Sequence, residues 1–146
     1  MEPSQNQEKK PLSRREERQQ AMAFVFERLF RDDSAEELFE DAVQARDTEI
    51  SDYARQIVNG IEEHREAIDA LIEANLKGWK LSRIAKIALT ILRIAVYEMC
   101  YMDDIPTSVS INEAVELAKC YATEKEAAFV NGVLGAIAAK QGKNGE

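Results

Sequence analysis

Histidine is almost missing from this chain of 146 residues: the one copy, His64, lies in the charged run EEHRE. A Ser-His-Asp or Cys-His arrangement needs a base within reach of its nucleophile, and no second plausible base is present. The two cysteines, Cys100 and Cys120, sit inside helical patterns without metal-ligand spacing. They read as reduced core thiols of a cytoplasmic protein. Glycine is scarce at six residues, and no glycine-rich loop follows a strand, so a phosphate cradle is excluded. No stretch alternates apolar and polar residues between hairpin turns, so strands are not expected. Carboxylates are plentiful but fall at helix caps and on helix surfaces, and their spacing favours neither a metal site nor a glycosidase pair. The opening MEPSQNQEKKPL lacks the apolar core of a signal peptide, so none is expected. These absences describe a binding module, not an enzyme.

What the chain does have is one long apolar stretch, residues 81–102, LSRIAKIALTILRIAVYEMCYM. At helical spacing its polar side chains Arg83, Lys86, Thr90, Arg93 and Tyr97 fall on one narrow stripe. A helix apolar over most of its circumference has to be surrounded by other elements. The charges Arg83, Lys86, Arg93 and Glu98 argue against a membrane span, so a buried central helix is expected.

Other helices are marked by their caps. Residues 1–12 read as a flexible arm. Ser13 and Glu16 form a capping box opening a helix to about residue 31, with Met22, Val25 and Leu29 on its apolar face. Ser34 and Glu37 open a second helix to about residue 45. A third is expected over 51–60 and a fourth over 63–76, stopped by Lys77-Gly78. Asn59-Gly60 reads as a point of close packing, and Trp79 as packed over the joint between two halves. After the turn at Ile105-Pro106, Ser110 and Glu113 are expected to cap a helix to about residue 121. Thr123 and Glu126 cap the last, whose core face is Phe129, Val130, Val133, Leu134 and Ile137. The resulting expectation is a single all-α domain over residues 13–140, with a frayed tail at 141–146.

The net charge of −8 argues against nucleic acid, but its distribution does not. Residues 9–18 hold five cations (Lys9, Lys10, Arg14, Arg15, Arg18) against Glu16 and Glu17, a net +3, which leaves −11 for the remainder. Such asymmetry suits either a local anion-binding surface or a solvated helix start. Arg14 and Arg18 fall on one helix face, and Arg15 about 100° round it. The junction around Lys119, Tyr121 and Lys125 sets cations and a ring beside a helix N-terminus, an arrangement suited to single-stranded nucleic acid. Phe26 and Phe30, one turn apart, are either core or a partner surface.

At these residues the chain closely resembles the NusB family of transcription antitermination factors. RIAKIALTILRIAVYEM is followed by Ile105-Pro106, Ile111-Asn112-Glu113-Ala114, Glu116-Leu117-Ala118-Lys119 and Phe129-Val130-Asn131-Gly132-Val133-Leu134 in the family's order and spacing. The resemblance spans residues 13–139, stronger in the second half. It implies a compact seven-helix bundle in two helical subdomains, about 13–78 and 79–140, around the buried central helix. It also implies binding of boxA-type single-stranded RNA together with ribosomal protein NusE, in a complex on RNA polymerase that resists termination, notably on ribosomal RNA operons. No catalysis and no cofactor are implied.

By position, the resemblance puts Arg14, Arg15, Arg18, Lys119, Tyr121, Lys125, Phe129 and Asn131 on the RNA side. Phe26, and with it Phe30 and Ala88, fall on the NusE side. Three departures stand out. Phe26 replaces a common tyrosine, Ala88 an acidic residue of some members at the NusE contact, and Lys125 an aspartate near the RNA. The competing reading is a helical protein–protein adaptor, or a homodimer through Phe26 and Phe30, without specific RNA binding.

Overall fold

The order of elements follows from where backbone donors find caps. The computed structural model describes residues 11–46 and 49–141. The expected arm, with Lys9 and Lys10, and the tail beyond residue 141 fall outside the described residues. Seven α-helices and no strand occur among those described: α1 Arg14–Glu27, α2 Ala35–Arg46, α3 Asp52–Glu63, α4 Arg65–Ala74, α5 Lys86–Tyr101, α6 Thr107–Tyr121 and α7 Glu124–Gln141. A 3-10 turn, Leu81–Arg83, precedes α5.

Both expected N-terminal capping boxes form. The Ser13 hydroxyl accepts from the Glu16 N–H at 3.1 Å while Glu16 accepts from the Ser13 N–H at 2.8 Å. Ser34 and Glu37 repeat the pair at 3.1 and 2.8 Å. Ser51 caps α3 through the Ala54 N–H, and Thr123 caps α7 through the Glu126 N–H, both at 3.0 Å. Each such cap satisfies donors that the helix itself leaves free.

α5 is the axis of the molecule. Every residue from 88 to 99 is buried, and α1, α3, α4, α6 and α7 all pack against it. Burial on all sides leaves its polar groups nowhere to go but into pairs. Arg93 makes a two-bond contact with Asp69 of α4, at 2.9 Å for each bond. The Thr90 hydroxyl donates to the Lys86 carbonyl of its own helix, and Glu98 is met from three sides, as described below. The Tyr97 ring lies over Gly60 of α3 so closely that any side chain at Gly60 would overlap it. The glycine is there for close approach.

Several boundaries differ from the sequence reading. The central helix starts at Lys86, not residue 81, because the Leu81 N–H is taken by the Glu73 carboxylate and Ile84 turns extended to bury itself. α1 ends at Glu27, where tighter bonds from Leu29 to Phe26 and from Phe30 to Glu27 close the last turn. α6 begins at Thr107, directly after Pro106, whose fixed φ suits a helix entry. Ser110 is therefore inside the helix, and its hydroxyl serves Glu98 instead of a cap. Trp79 does not pack over a joint but is 60% exposed. Cys120 is exposed, not a core thiol, and Cys100 is half-buried. His64 is half-buried and stacks on Tyr101 with ring centres 4.1 Å apart. No described helix is long and apolar enough to cross a membrane.

Candidate nucleic-acid interface

The three arginines at the start of α1 are held by the capping box at one end and by three different carboxylates along the side. Arg14 lies 4.3 Å from the centre of the Tyr53 ring and donates to Glu17 at 2.9 Å. Arg15 reaches across to α6, where its Nε and Nη2 donate to the two oxygens of Glu113 at 3.0 and 2.9 Å. The Arg15 side chain is nevertheless 58% exposed. The Glu113 hydrogen bond and charge hold its guanidinium pKa above the ordinary value, and the same bond holds the Glu113 carboxyl below the ordinary one.

Arg18 is different. It is 4% exposed, and its guanidinium donates to Glu98 at 2.7 and 3.2 Å inside the core. The Ser110 hydroxyl donates to the same carboxylate at 2.7 Å, and the Tyr53 hydroxyl donates to it as well. Burial alone would lower the Arg18 pKa, but the Glu98 bond and charge outweigh it and the value is raised. Burial, then the Glu98 charge, pushes the Tyr53 phenol far above its ordinary range. A buried carboxylate receiving three donors is a structural tie between α1, α3, α5 and α6. The expectation that Arg18 contacts phosphate is therefore corrected: the side chain has no free face to offer.

The other expected contacts sit at the α6–α7 junction. The two bonds from Arg15 to Glu113 tie the start of α1 to α6. Lys119 and Tyr121 follow in the last turn of that helix, both exposed, with the Tyr121 ring 49% open. Lys125 is exposed in the first turn of α7, and Asn131 is exposed further along it. Phe129 is half-buried against the core, so only part of its ring is accessible.

The Phe26–Phe30 pair is a separate place, roughly 16 Å along the α1 axis from Arg15 at the helical rise. The rings meet edge to face with centres 5.1 Å apart, Phe26 half-buried and Phe30 60% exposed. Ala88 joins no surface. It is 1% exposed within α5, so its expected role as a direct partner contact is corrected. Glu98 and Glu113 were missed as the residues that decide what the arginines do. A lone glutamate in the apolar run of α5 was the available signal for the first, and nothing local marked the second.

Comparison with known proteins bears on the whole chain. The model of the NusB family matches residues 15–139. The chain belongs to the NusB family. Transcription antitermination protein NusB of Clostridium novyi (strain NT) is 46% identical over 128 residues, covering 85% of this chain and 96% of that protein. NusB of T. maritima superimposes with a TM-score of 0.80 at 36% identity, covering 90% of this chain and 94% of that one. A structure of antitermination factors NusB and NusE in complex with dsRNA gives a TM-score of 0.75 at 31% identity, covering 85% and 94%. The NusB class of this chain is thus transcription antitermination and not catalysis.

Proposed function

We propose that this chain binds boxA-type single-stranded RNA together with ribosomal protein NusE. It thereby helps RNA polymerase resist termination, notably on ribosomal RNA operons, and works in the cytoplasm. The observation that carries this reading is the docking of Arg15 on α6, the helix whose last turn exposes Lys119 and the Tyr121 ring. Arg14, Arg15, Lys119 and Lys125 supply the salt-sensitive grip on phosphates. Tyr121, the open edge of Phe129 and Asn131 meet unstacked bases. The structural relative containing NusB and NusE with dsRNA supports NusE and RNA as partners.

NusE takes the far end of α1, through Phe30 and the accessible part of Phe26. A phenylalanine at position 26 has no hydroxyl to donate, so that contact is apolar. The exposed Phe30 ring also suits self-association, a homodimer through the same stripe. A helical adaptor binding protein alone is the remaining alternative. Titrating labelled boxA-like RNA, scrambled RNA and duplex RNA at two salt concentrations, with and without NusE, separates these readings. Preference for the boxA-like strand, strengthened by NusE, is the expected result. No RNA binding even with NusE would leave the adaptor reading in its place. Light scattering adds the dimer: dissociation on adding NusE is expected if one surface serves both.

A further inference from the structure

The segment between α4 and α5 carries a second cationic and aromatic surface. Residues 77–86 read KGWKLSRIAK: four cations, Lys77, Lys80, Arg83 and Lys86, and no acid, in a chain of net charge −8. All four are exposed, and Trp79 between them is 60% exposed, although its apolar neighbours Leu76 and Ile84 are buried. Left-handed backbone at Lys77 (φ 52°) and at Gly78 (φ 92°) turns the chain outward just before the ring. Gly78, Trp79, Lys80 and Arg83 line an open hollow of about 480 Å³.

The state of these cations sets them apart from those of α1. Arg14, Arg15 and Arg18 each hold a carboxylate, whereas none of Lys77, Lys80, Arg83 and Lys86 forms an ion pair with a described residue. The nearest acid in the chain, Glu73, is engaged by the Leu81 N–H. The Glu73 carboxylate therefore offsets only part of the four positive charges, and the larger part of Trp79 stays open to solvent.

The direction of the helices adds a third point. Ser110 of α6 bonds Glu98 of α5 across the short turn at 102–106, and Leu117 lines the same small cavity as Ile91, so the two helices run antiparallel. The start of α5, with Lys86, and the end of α6, with Lys119 and Tyr121, consequently lie at the same end of that pair.

We propose that Trp79, with Lys77, Lys80, Arg83 and Lys86, is a second single-stranded RNA contact. It takes the part of a strand that runs beyond the α6–α7 junction. An exposed indole stacks on any base, and unpaired cations beside it hold the backbone, so this contact adds affinity with little sequence preference. The inference rests on the RNA-binding reading above.

Trp79 is the one tryptophan in the sequence, so its emission reports its own surroundings. The test uses the full chain and follows RNA anisotropy and Trp79 emission together. The RNAs are a short boxA-like strand and the same strand extended by uridines at either end. The extended strand is expected to quench Trp79 and to shield it from acrylamide, with less effect from the short strand. Trp79→Ala should weaken the extended strand about tenfold and leave the short one unchanged, and Trp79→Phe should restore most of the loss. Changing Lys77, Lys80 and Arg83 together to Gln should flatten the salt dependence for the extended strand by about 2 in slope.

Anisotropy showing RNA bound with Trp79 emission unmoved, and Trp79→Ala without effect, would overturn this contact while the main reading stands. No anisotropy change with any RNA would remove both. A blue shift on phosphatidylglycerol vesicles, with no response to extended RNA, would assign the patch to an anionic membrane surface and overturn the proposal.

Discussion

Arg15 and Arg18 sit three residues apart on one helix, and each makes two hydrogen bonds to a glutamate, yet they do opposite work. Arg18 and Glu98 are sealed in the core, at 5% and 1% side-chain exposure; Arg15 and Glu113 meet at the surface, at 58% and 19%. In the core the pair cannot be exchanged for water or for another anion, so it fixes how α1, α3, α5 and α6 meet. At the surface a phosphate can replace Glu113 at little cost, because solvent screens both states. Charge and spacing along a helix do not tell these roles apart. The partner helix does.

Breaking the buried pair gives the largest expected effect. Arg18→Ala takes the guanidinium away from the buried Glu98 carboxylate, a loss of about 3–5 kcal/mol, or roughly 10 °C in Tm for a chain of this size. Replacing both partners, Arg18→Met with Glu98→Leu, should cost less than either single change, since no charge is then stranded. Calorimetry of the four proteins measures this coupling. Additive losses would mean that Arg18 and Glu98 stabilise through packing and not through each other. RNA affinity of the Arg18→Ala protein, measured where it remains folded, should match that of the parent.

The Tyr53 hydroxyl belongs to the same buried cluster and gives a smaller, pH-dependent effect. Its folded pKa lies above the ordinary phenol value, chiefly through burial and then through the charge of Glu98. A raised value means that the folded state keeps a proton the unfolded chain loses. The contribution is therefore complete below pH ~10 and declines as pH rises beyond it. Urea unfolding between pH 8 and 10.5 should show stability falling at the alkaline end, with a shallower fall for Tyr53→Phe. That variant should also lose about 2 kcal/mol at neutral pH, as a donor to a buried carboxylate is removed.

The fold was largely legible in the sequence because helix caps and apolar period are local signals. Ser13-Glu16 and Ser34-Glu37 close as capping boxes, and the burial of residues 88–99 follows from their composition. What failed were readings that depend on a distant partner. Ser110 has the spacing of a cap, but it lies opposite Glu98, twelve residues earlier on α5. Trp79 has the size of a core residue, but the outward turn at Lys77 and Gly78 leaves it in solvent. The candidate site divides in the same way: Lys119, Tyr121 and Lys125 are exposed, whereas Arg18 and Ala88, whose position suggests contacts, are core. Ala88 in particular cannot be placed without knowing that α5 is enclosed on that side.

On the surface side of the comparison the expected effects appear in binding and not in stability. Arg15→Ala should leave Tm where it is, weaken boxA-like RNA several-fold, and reduce the salt slope by about 0.7, the share of one phosphate on a single strand. An unchanged slope would remove Arg15 from the interface.

Glu113→Gln gives the smallest effect and the sharpest distinction. The bond to Arg15 lowers the Glu113 pKa, so the pair is complete above the ordinary carboxylate range near pH ~4.3 and is lost only as pH falls through the lowered value. At neutral pH, then, titration never frees Arg15, and only substitution can. If Glu113 competes with phosphate, its removal should tighten RNA binding about two- to threefold, with a steeper salt slope. If it instead holds the guanidinium in the orientation RNA requires, the same change should weaken binding, because the freed side chain then has to be ordered again on contact. Competition is the expected result. Arg15 is more than half exposed beside Glu113, so a strand can approach the guanidinium without first displacing the helix that carries the glutamate.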